Sequence, residues 1–376
     1  MGSLAAAALT RRGARVIGFD AHRPPHDLGS THGGSRVART AYFEHPDYVP
    51  LLRDAFDGWE RLERDTGRRC LHRSGVLLLG DPRSEVITAS RASAATHGIR
   101  VEDLTPAEVR ARWPVFRLPD DVGGLLEPEA GFVVPEHGVA AGLDLAARAG
   151  ADLRFDTPVT AIEGDDDGGI VRCGDESVAV DRVVVTAGAW TSRLLPSLAR
   201  RCDLRPQRKV IAWCRPRSPH AAAFASDRMP AWLLDDGGAF GDGVHYAVPT
   251  WPGQVGPAGL KIGFHGPGTD VDPDDADRSP DPALVARFHR DVSTFLPDAL
   301  DPPHASATCL YTMSADRHFV VDHVPGAAAI AVAAGFSGHG YKFAPMIAEL
   351  LADLTIEGKT SRPAEFLTLG TRPLTT

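Results

Sequence analysis

The stretch from Gly2 to Asp20, GSLAAAALTRRGARVIGFD, contains the signals for a helix, a glycine stop and a strand, in that order. The alanine-rich residues 4–12 predict a helix, and Gly13 ends it. Residues 15–20 predict a strand that closes with an acid. A glycine that opens a helix and an acid that ends the next strand form the second half of a dinucleotide-binding βαβ unit. Gly2 and Asp20 are therefore candidate nucleotide contacts, although any other α/β domain with this start fits the segment equally well.

The first half of such a unit has no counterpart before Gly2, because a first strand and two further glycines would have to precede it. We therefore expect the given sequence to start inside a Rossmann-like domain, after its first strand. Without that strand, the neighbouring strands would expose backbone edges and part of the phosphate contact would be lost.

Helical and strand patterns alternate along the rest of the chain. Spacing of apolar residues predicts helices over 48–66, 89–97, 106–113, 139–149, 279–296 and 346–354. Apolar runs predict strands over 73–80, 153–155, 158–163, 170–172, 182–189 and 330–335. An α/β fold of two interleaved domains follows. We expect a discontinuous dinucleotide-binding domain (1–75, 139–205 and 305–376) and a mostly antiparallel substrate domain (76–138 and 206–304), with the acidic run 270–277 as a solvated loop.

Composition excludes several classes of function. Hydrophobic residues make up 43% and charged residues 24% of the 376 residues, and the formal net charge is −9. This balance is typical of a globular enzyme and argues against nucleic acid as a partner. No apolar run is long enough for a membrane span, and residues 4–9 lack the basic flank of a signal peptide. Five widely spaced cysteines without a CxxC pair predict neither disulfides nor a zinc site, so a cytoplasmic location is expected.

A series of motifs covers nearly the whole chain and, taken together, is more specific than any one of them. The motifs are Pro24–Arg39 (PPHDLGSTHGGSRVAR), Ala41-Tyr42, Tyr48–Leu51, Arg73–Val76, Ala130–Phe132, Pro158–Ile162, Thr186–Trp190, Gly259–His265, Thr308–Thr312 and Gly335–Phe343. In this order they resemble the FAD-dependent amine oxidases monomeric sarcosine oxidase and N-methyltryptophan oxidase. The resemblance implies that FAD is the dinucleotide and that Gly2, Asp20, Ser30 and Val159 contact it.

Cys309 lies in the motif TCLYT, shortly before Asp316-Arg-His-Phe. The resemblance implies a covalent thioether between Cys309 and the flavin 8α-methyl carbon. Such a bond needs a low thiol pKa or a nearby base. A buried structural cysteine is the usual alternative, and it is our prediction for the other four cysteines.

Three cationic residues, His32, Arg36 and Arg39, share one glycine-rich loop. The resemblance implies that His32 and Arg36 approach the flavin ring, where cations stabilise the negative charge of the reduced state. It also implies that Arg39 binds a substrate carboxylate, a contact for which the guanidinium is well suited. A basic surface loop is the alternative, but such a loop has little need of three glycines.

Lys342 follows Gly338 and Gly340 in a loop that leaves a buried strand, where open α/β folds bind their ligands. The resemblance implies that Lys342 pairs with Arg39 on the substrate carboxylate and that both glycines run close to the flavin. His339 is either adjacent to the flavin or structural. A lysine that faces solvent at the start of a helix is the alternative to a ligand contact.

Lys261 and His265 are four residues apart on a predicted strand, so their side chains should share one face. From the spacing alone, a strand with polar residues facing water would be the preferred interpretation. The resemblance instead implies that Lys261 activates oxygen and that His265 and Tyr246 line the substrate pocket.

The activity that the resemblance implies is the oxidation of a small N-methyl amino acid. The N-methyl carbon would pass a hydride equivalent to FAD, water would hydrolyse the imine to formaldehyde, and O2 would become hydrogen peroxide. Residues 208–213 and 260–263 look closer to N-methyltryptophan oxidase, while sarcosine, proline, pipecolate and other secondary amines stay open. No metal, nucleic acid or membrane is expected, and a monomer is favoured.

Three other classes remain open at this point. A dehydrogenase of the same fold would pass electrons to a carrier, and Lys261 argues against it. An inactive FAD-binding protein would follow from a missing first strand. An NAD-dependent enzyme would share the logic of Asp20 but would give no role to Cys309.

Overall fold

The computed structural model describes residues 1–238 and 242–372. Within them the helices are α1 (Gly2–Arg11), α2 (Tyr48–Thr66), α3 (Glu85–His97), α4 (Pro106–Arg112), α5 (Pro135–Arg148), α6 (Thr191–Leu194), α7 (Pro196–Arg201), α8 (Pro282–Phe295) and α9 (Ala344–Glu357). The predicted mixed α/β fold is confirmed. In this part of the chain, no helix is both long and apolar enough to pass through a membrane.

Within the described residues the strands are mostly short and form five separate sheets. Their bounds are β1 (Ile17–Phe19), β2 (Arg36–Ala38), β3 (Leu71–His72), β4 (Val76–Gly80), β5 (Glu102–Leu104), β6 (Gly123–Glu127), β7 (Gly131–Val133), β8 (Asp152–Arg154), β9 (Ala161–Gly164), β10 (Gly169–Cys173), β11 (Glu176–Val180), β12 (Val183–Val185), β13 (Arg205–Cys214), β14 (Ala231–Leu234), β15 (Val244–Val248), β16 (Leu260–His265), β17 (Thr269–Asp270), β18 (Ala305–Met313), β19 (Val320–Val324) and β20 (Ala327–Ala334).

The largest sheet has the order β17-β13-β16-β15-β14-β4-β6-β5, and β18 pairs with the other side of β13. Its pairs are antiparallel except β14 with β4, which are parallel. One face is apolar: Leu260 and Ile262 of β16 belong to the same buried cluster as Phe288 and Val292 of α8. Because side chains alternate along a strand, the residues between them point to the opposite face. That opposite face carries the polar side chains described below.

The parallel strands lie in two other sheets. β1 pairs with β8, and β12 pairs with β20, which also pairs with β19 in the antiparallel sense. Helix α1 packs on α5 so closely that a Cβ on Gly142 would lie 2.8 Å from the Ser3 backbone carbon. Helices α1, α2 and α9 share a second apolar core, separate from that of the large sheet.

Strand pairing crosses the expected domain divisions at two places. β18 starts at residue 305 but pairs along its whole length with β13 of the large sheet. β7 lies within 76–138 but pairs with β2 and β3 of the first segment. The first crossing places β18, which carries Cys309, in the large sheet, and the second pairs β2, which carries Arg36, with a strand from the expected substrate segment.

The acidic segment, residues 270–278, is exposed as expected but is also anchored. Trp190 Nε1 donates to Asp274 Oδ1 at 2.6 Å, and Arg193 pairs with Asp272. Arg278 donates to the Leu28 carbonyl. The segment therefore connects β17 to residues around α6 and to the loop that follows β1.

Candidate active site

The loop between β1 and β2 lies against the polar face of the large sheet. Gly33 and Gly34 have φ angles of +88° and +76°. A Cβ on Gly33 would lie 2.5 Å from Ile211 Cδ1, and one on Gly34 would lie 2.3 Å from the Val255 carbonyl oxygen. Only glycine satisfies both the backbone geometry and this close approach. The glycines thus place the neighbouring cations directly over the sheet.

Arg36 and Lys261 meet at one backbone carbonyl. Arg36 Nη1 donates to the Ser35 oxygen at 2.7 Å, and Lys261 Nζ donates to the same oxygen at 2.6 Å. Arg36 also donates to the Ser30 carbonyl, and Ser30 Oγ donates to the Leu310 carbonyl of β18. These contacts hold the loop against β16 and β18 and bring two positive charges together.

Lys261 is completely enclosed, with 1% of its surface exposed. Burial lowers the pKa of its amine well below the ordinary value, and the charge of Arg36 lowers it further. Lys261 shares one face of β16 with Gly263 and His265, and Tyr246 of β15 is the register partner of Gly263. A Cβ on Gly263 would lie 2.5 Å from the Tyr246 hydroxyl oxygen, so the glycine makes room for that ring between Lys261 and His265.

The two histidines of the site are held neutral. Burial, followed by the charges of Arg36 and Lys261, lowers the pKa of His32 to about 4. Burial likewise lowers the pKa of His265 to about 4. Both imidazoles are therefore uncharged at neutral pH, which differs from the cationic role expected for His32 at the flavin ring.

Cys309 lies in β18 and is buried, 2% exposed. Burial raises the pKa of its thiol, while the charges of Arg36, Lys261 and Lys209 oppose that rise. Lys209 is its direct register partner on β13. Sequence reasoning assigned no role to Lys209, since a single lysine in a predicted strand has no diagnostic spacing.

The cations expected to bind a carboxylate both lie close to the Tyr42 ring. The Arg39 guanidinium carbon lies 4.4 Å from the Tyr42 ring centroid, and Lys342 Nζ lies 4.8 Å from it. Lys342 Nζ donates to the Tyr42 hydroxyl at 3.1 Å and to the His339 carbonyl at 2.9 Å. His339 Nδ1 lies 2.7 Å from the same hydroxyl. The structure thus brings Arg39 and Lys342 into one buried group.

Glu44 already occupies this group as an internal carboxylate. Its Oε2 lies 2.6 Å from Arg39 Nη2. Although burial alone would raise the pKa of Glu44, Arg39, His339 and Lys342 lower it to about 2. Burial lowers the pKa of Lys342 to about 7, and Glu44 partly offsets this effect. Sequence reasoning missed Glu44, because its position in a loop after Ala41-Tyr-Phe carries no periodic signal.

The loop after β20 brings two glycines to the same region. Gly338 has a φ of +84°, and a Cβ there would lie 2.2 Å from Tyr311 Cε2. A Cβ on Gly340 would lie 2.3 Å from Phe336 Cδ1. The backbone at Gly338 therefore runs directly beside Tyr311, two residues from Cys309 on β18.

The remaining predicted contacts form a second group at the parallel strands. Gly2 opens α1, and a Cβ there would lie 2.7 Å from Thr186 Oγ1. Asp20 follows β1 and accepts from the His22 backbone at 3.0 Å. Val159 lies between β8 and β9 and packs on the same apolar cluster as Phe19. The loop from residue 29 to 36 connects this group to the one around Lys261.

The residues present fit an FAD molecule laid between the two groups. His32 Nε2, Thr308 Oγ1 and Thr312 Oγ1 are buried without a hydrogen-bond partner in the protein. Buried polar atoms of this kind are normally satisfied, so they indicate a ligand with hydrogen-bonding groups. No group of three His, Cys, Asp or Glu side chains in residues 1–238 and 242–372 is arranged for a metal.

This fold and site define a flavin-dependent oxidoreductase, and comparison with known proteins agrees. A family profile described as FAD dependent oxidoreductase matches residues 1–354. The monomeric sarcosine oxidase of Streptomyces avermitilis is 37% identical over 365 residues, covering 96% of this chain and 93% of the relative. The N-methyl-L-tryptophan oxidase of Salmonella arizonae is 35% identical over 363 residues, covering 95% and 93%. The chain belongs to the FAD-dependent oxidoreductase family, and the resemblance inferred from its motifs is confirmed.

A solved structure supports the same assignment. NikD, described as an unusual amino acid oxidase essential for nikkomycin biosynthesis, superposes with a TM-score of 0.84 at 26% identity. The match covers 97% of this chain and 94% of NikD. The glycine oxidase of Geobacillus kaustophilus, at 22% identity and a TM-score of 0.80, shares the fold.

Proposed function

We propose that this chain oxidises amino acids that carry a secondary amine, with N-methyl-L-tryptophan and sarcosine as the types of substrate and O2 as the acceptor. The main observation behind this proposal is the buried pair Arg39 and Lys342. Both side chains lie close to the Tyr42 ring, beside the sheet face that bears His265. Two buried cations next to each other suit a small carboxylate. Relatives named sarcosine oxidase and N-methyl-L-tryptophan oxidase support this choice of substrate class.

Binding of the substrate carboxylate would compete with Glu44 for Arg39. Arg39 is only 3% exposed, so the cost of removing its guanidinium from water is already met in the folded protein. Exchange of one carboxylate for another leaves the charge of the pair unchanged. Lys342 is the second contact, because its amine is already directed into the same group by Tyr42 and His339.

The amine of the substrate would react in its neutral form. His32 and His265 both have a pKa of about 4, so neither adds positive charge at neutral pH. Each can accept a hydrogen bond without acting as a strong base. We assign no general base, and the residues contribute position and electrostatics.

FAD, when bound, supplies the two-electron oxidation of the N-methyl carbon. The residues around it would orient the substrate and hold charge in place. Lys261 and Arg36 share the Ser35 carbonyl and provide fixed positive charge where O2 is reduced to hydrogen peroxide. Tyr246, held over Gly263, and His265 would form the wall of the pocket opposite Arg39.

Cys309 is the proposed point of covalent attachment. Its thiol lies within the field of Arg36, Lys261 and Lys209, which favours the thiolate against the effect of burial. Cys70, Cys202 and Cys214 are also buried, and burial raises the pKa of each thiol, but no pair of lysines offsets it. The thioether would fix the cofactor beside β18.

The test compares each amino acid with the amine that lacks its carboxylate. Sarcosine is paired with dimethylamine, and N-methyl-L-tryptophan with N-methyltryptamine. Bleaching of the flavin without oxygen reports reduction, and peroxide and formaldehyde are measured in air. We expect strong preference for one amino acid over its matched amine, with peroxide and formaldehyde formed in equal amounts. Equal reaction of an amino acid and its amine would refute the carboxylate site, and flavin bleaching without peroxide would refute the oxidase.

A further inference from the structure

A buried carboxylate, Glu127, stands outside the groups described so far. It is the last residue of β6 in the large sheet, and 5% of its surface is exposed. No Lys, Arg or His nitrogen of the described residues lies within 4.0 Å of its carboxylate. Burial raises its pKa, and the charge of Arg39 is among the influences that lower it. Burying a carboxylate without a close cation costs free energy unless hydrogen bonds compensate for the lost water.

Its partners are two consecutive residues of the loop that follows β2. The Thr40 backbone N–H donates to Oε1 at 2.9 Å and to Oε2 at 3.0 Å. The Ala41 N–H donates to Oε2 at 2.9 Å, and the Thr40 hydroxyl donates to Oε1. Successive N–H groups that converge on one carboxylate fix the backbone between them.

The same peptide units hold the cations of the carboxylate site. Arg39 Nη1 donates at 2.8 Å to the carbonyl oxygen of Ala41, whose N–H is bound by Glu127. The next residue, Tyr42, accepts from Lys342 Nζ through its hydroxyl at 3.1 Å. One carboxylate on the large sheet is therefore connected through Ala41 to Arg39 and through Tyr42 to Lys342.

We propose that Glu127 is a positioning residue that sets the distance and direction of Arg39 and Lys342 for the substrate carboxylate. This proposal rests on the proposed function, since it concerns the same site. Glu127 does not touch the substrate; it holds the backbone of residues 40 and 41 while the side chain of Glu44 gives way to the incoming anion. The large sheet and the loop after β2 thus act as one rigid receptor.

A role in positioning and a role through charge predict opposite changes in the affinity for carboxylates when Glu127 is replaced by Gln. Glutamine keeps the shape and one acceptor but removes a negative charge near Arg39. If Glu127 acts through its charge, the variant will bind carboxylates more tightly. If Glu127 acts through its hydrogen bonds, Glu127→Gln will bind them a few-fold more weakly and Glu127→Ala about 10- to 100-fold more weakly, the range expected when hydrogen bonds to a charged group are lost.

The experiment measures dissociation constants from the saturation of anaerobic flavin reduction, with sarcosine, dimethylamine, N-methyl-L-tryptophan and N-methyltryptamine as probes. The matched control is Glu63→Ala, because Glu63 also accepts two consecutive N–H groups, those of Cys70 and Leu71, both at 2.6 Å. Thr40→Val, which removes only the hydroxyl contact, replaces Glu127→Ala if that variant does not fold.

The proposal is supported if the Glu127 variants bind the amino acids more weakly while the dissociation constants of the amines change less than two-fold. Glu63→Ala should not show this selectivity. Equal weakening of amino acids and amines, or tighter binding of amino acids by Glu127→Gln, would overturn the proposal. A wild-type enzyme that does not distinguish amino acids from their amines would instead overturn the carboxylate site itself, so the two failures are separable.

Discussion

At the scale of single residues, the site depends on side chains whose charge is set by burial. Lys261, His32 and His265 all have a lowered pKa because water is excluded from them, and Glu44 remains ionised because the charges of Arg39, His339 and Lys342 outweigh its burial. Perturbed groups that converge in this way are typical of functional sites. Each can be tested by a substitution that removes the charge and keeps most of the shape.

Cys309→Ala should leave FAD removable from the protein. Wild-type protein precipitated with acid is expected to keep its yellow colour in the pellet, whereas the variant should release the colour to the supernatant. Cys202→Ala is the control, since Cys202 is also buried but lies at the end of α7 and not on β18. Colour that stays in the pellet of Cys309→Ala would show that another residue forms the bond.

Lys261→Met should slow reoxidation of the reduced flavin by about 100-fold or more while reduction changes little, since one fixed charge aimed at a developing anion is worth that much. Burial lowers the pKa of Lys261, so its charge is lost as pH rises through that lowered pKa. Wild-type reoxidation should therefore slow as pH rises through that lowered pKa, below the pH at which an ordinary lysine loses its charge, and the variant should show no such slope.

Stopped-flow measurement of both half-reactions checks this, with Lys209→Met as the control. Lys209 is also buried, but its Nζ donates to the Gly266 carbonyl at 2.6 Å, away from the Ser35 oxygen that Arg36 and Lys261 share. Equal losses in both half-reactions of Lys261→Met would contradict a role in oxygen activation.

Some residues of the site were accessible from the sequence and others were not. Lys261 and His265 could be predicted to share a face, because the period of a strand is fixed at two residues. Glu44, Tyr42 and Glu127 act through contacts between segments far apart in the chain, and no spacing within one segment reveals them. Local periodicity predicts the direction in which a side chain points along a strand. Contacts between distant segments can be identified only from the folded structure.

At the scale of elements, β16 combines two functions on its two faces. Lys261, Gly263 and His265 face the site, and Leu260 and Ile262 face the apolar core below α8. In Gly263→Ala the new Cβ would lie only 2.5 Å from the Tyr246 hydroxyl oxygen. This distance is too short for a contact, so the Tyr246 ring must move. We expect a lower kcat/KM with a small change in Tm.

The control for this prediction is Ile262→Val, on the opposite face of the same strand. Loss of one buried methyl group should lower the free energy of unfolding by about 0.5–1.5 kcal/mol and leave kcat/KM unchanged. Steady-state kinetics and thermal unfolding of both variants separate the two faces. Identical behaviour of the two variants would show that the faces are not independent.

The predicted helices and strands were observed with bounds within about four residues, but many strands, β18 among them, were not predicted individually, and neither was the pairing. The helix predicted over 48–66 is observed as Tyr48–Thr66, because its apolar spacing is regular and Gly67 ends it in the left-handed conformation. The pairing of β18 with β13 joins segments almost one hundred residues apart, and register over that distance depends on packing. The expected boundary at 305 therefore falls where a strand of the large sheet begins.

At the scale of the whole molecule, we propose that the chain forms an FAD-binding unit from 1–75, 139–205 and 305–376 and a substrate unit from 76–138 and 206–304. Two separate apolar cores support the division. Strands β7 and β18 and the carboxylate of Glu127 connect the two units, so the site between them contains residues from both.

The acidic segment, residues 270–278, adds a surface connection that can be tested. Arg193→Ala removes its ion pairs with Asp272 and Asp274, and we expect faster cleavage of the segment by a protease with little change in the free energy of unfolding, because exposed ion pairs contribute little to stability. Arg172→Ala, which breaks the exposed pair with Glu163, is the control. Unchanged proteolysis of the Arg193 variant would show that the other contacts of the segment are enough to anchor it.

The alternation along β16 also has a consequence for folding fidelity. A slip of one position would bring Lys261 and His265 under α8 and would turn Leu260 and Ile262 toward the flavin. In that position the Lys261 amine would lose its hydrogen bond to the Ser35 carbonyl and lie beside Phe288 and Val292, so the misaligned chain would be disfavoured before any substrate arrived. The residues proposed for catalysis therefore also disfavour the wrong register of β16 in the sheet. Selection for the reaction and selection against misfolding would act on the same positions.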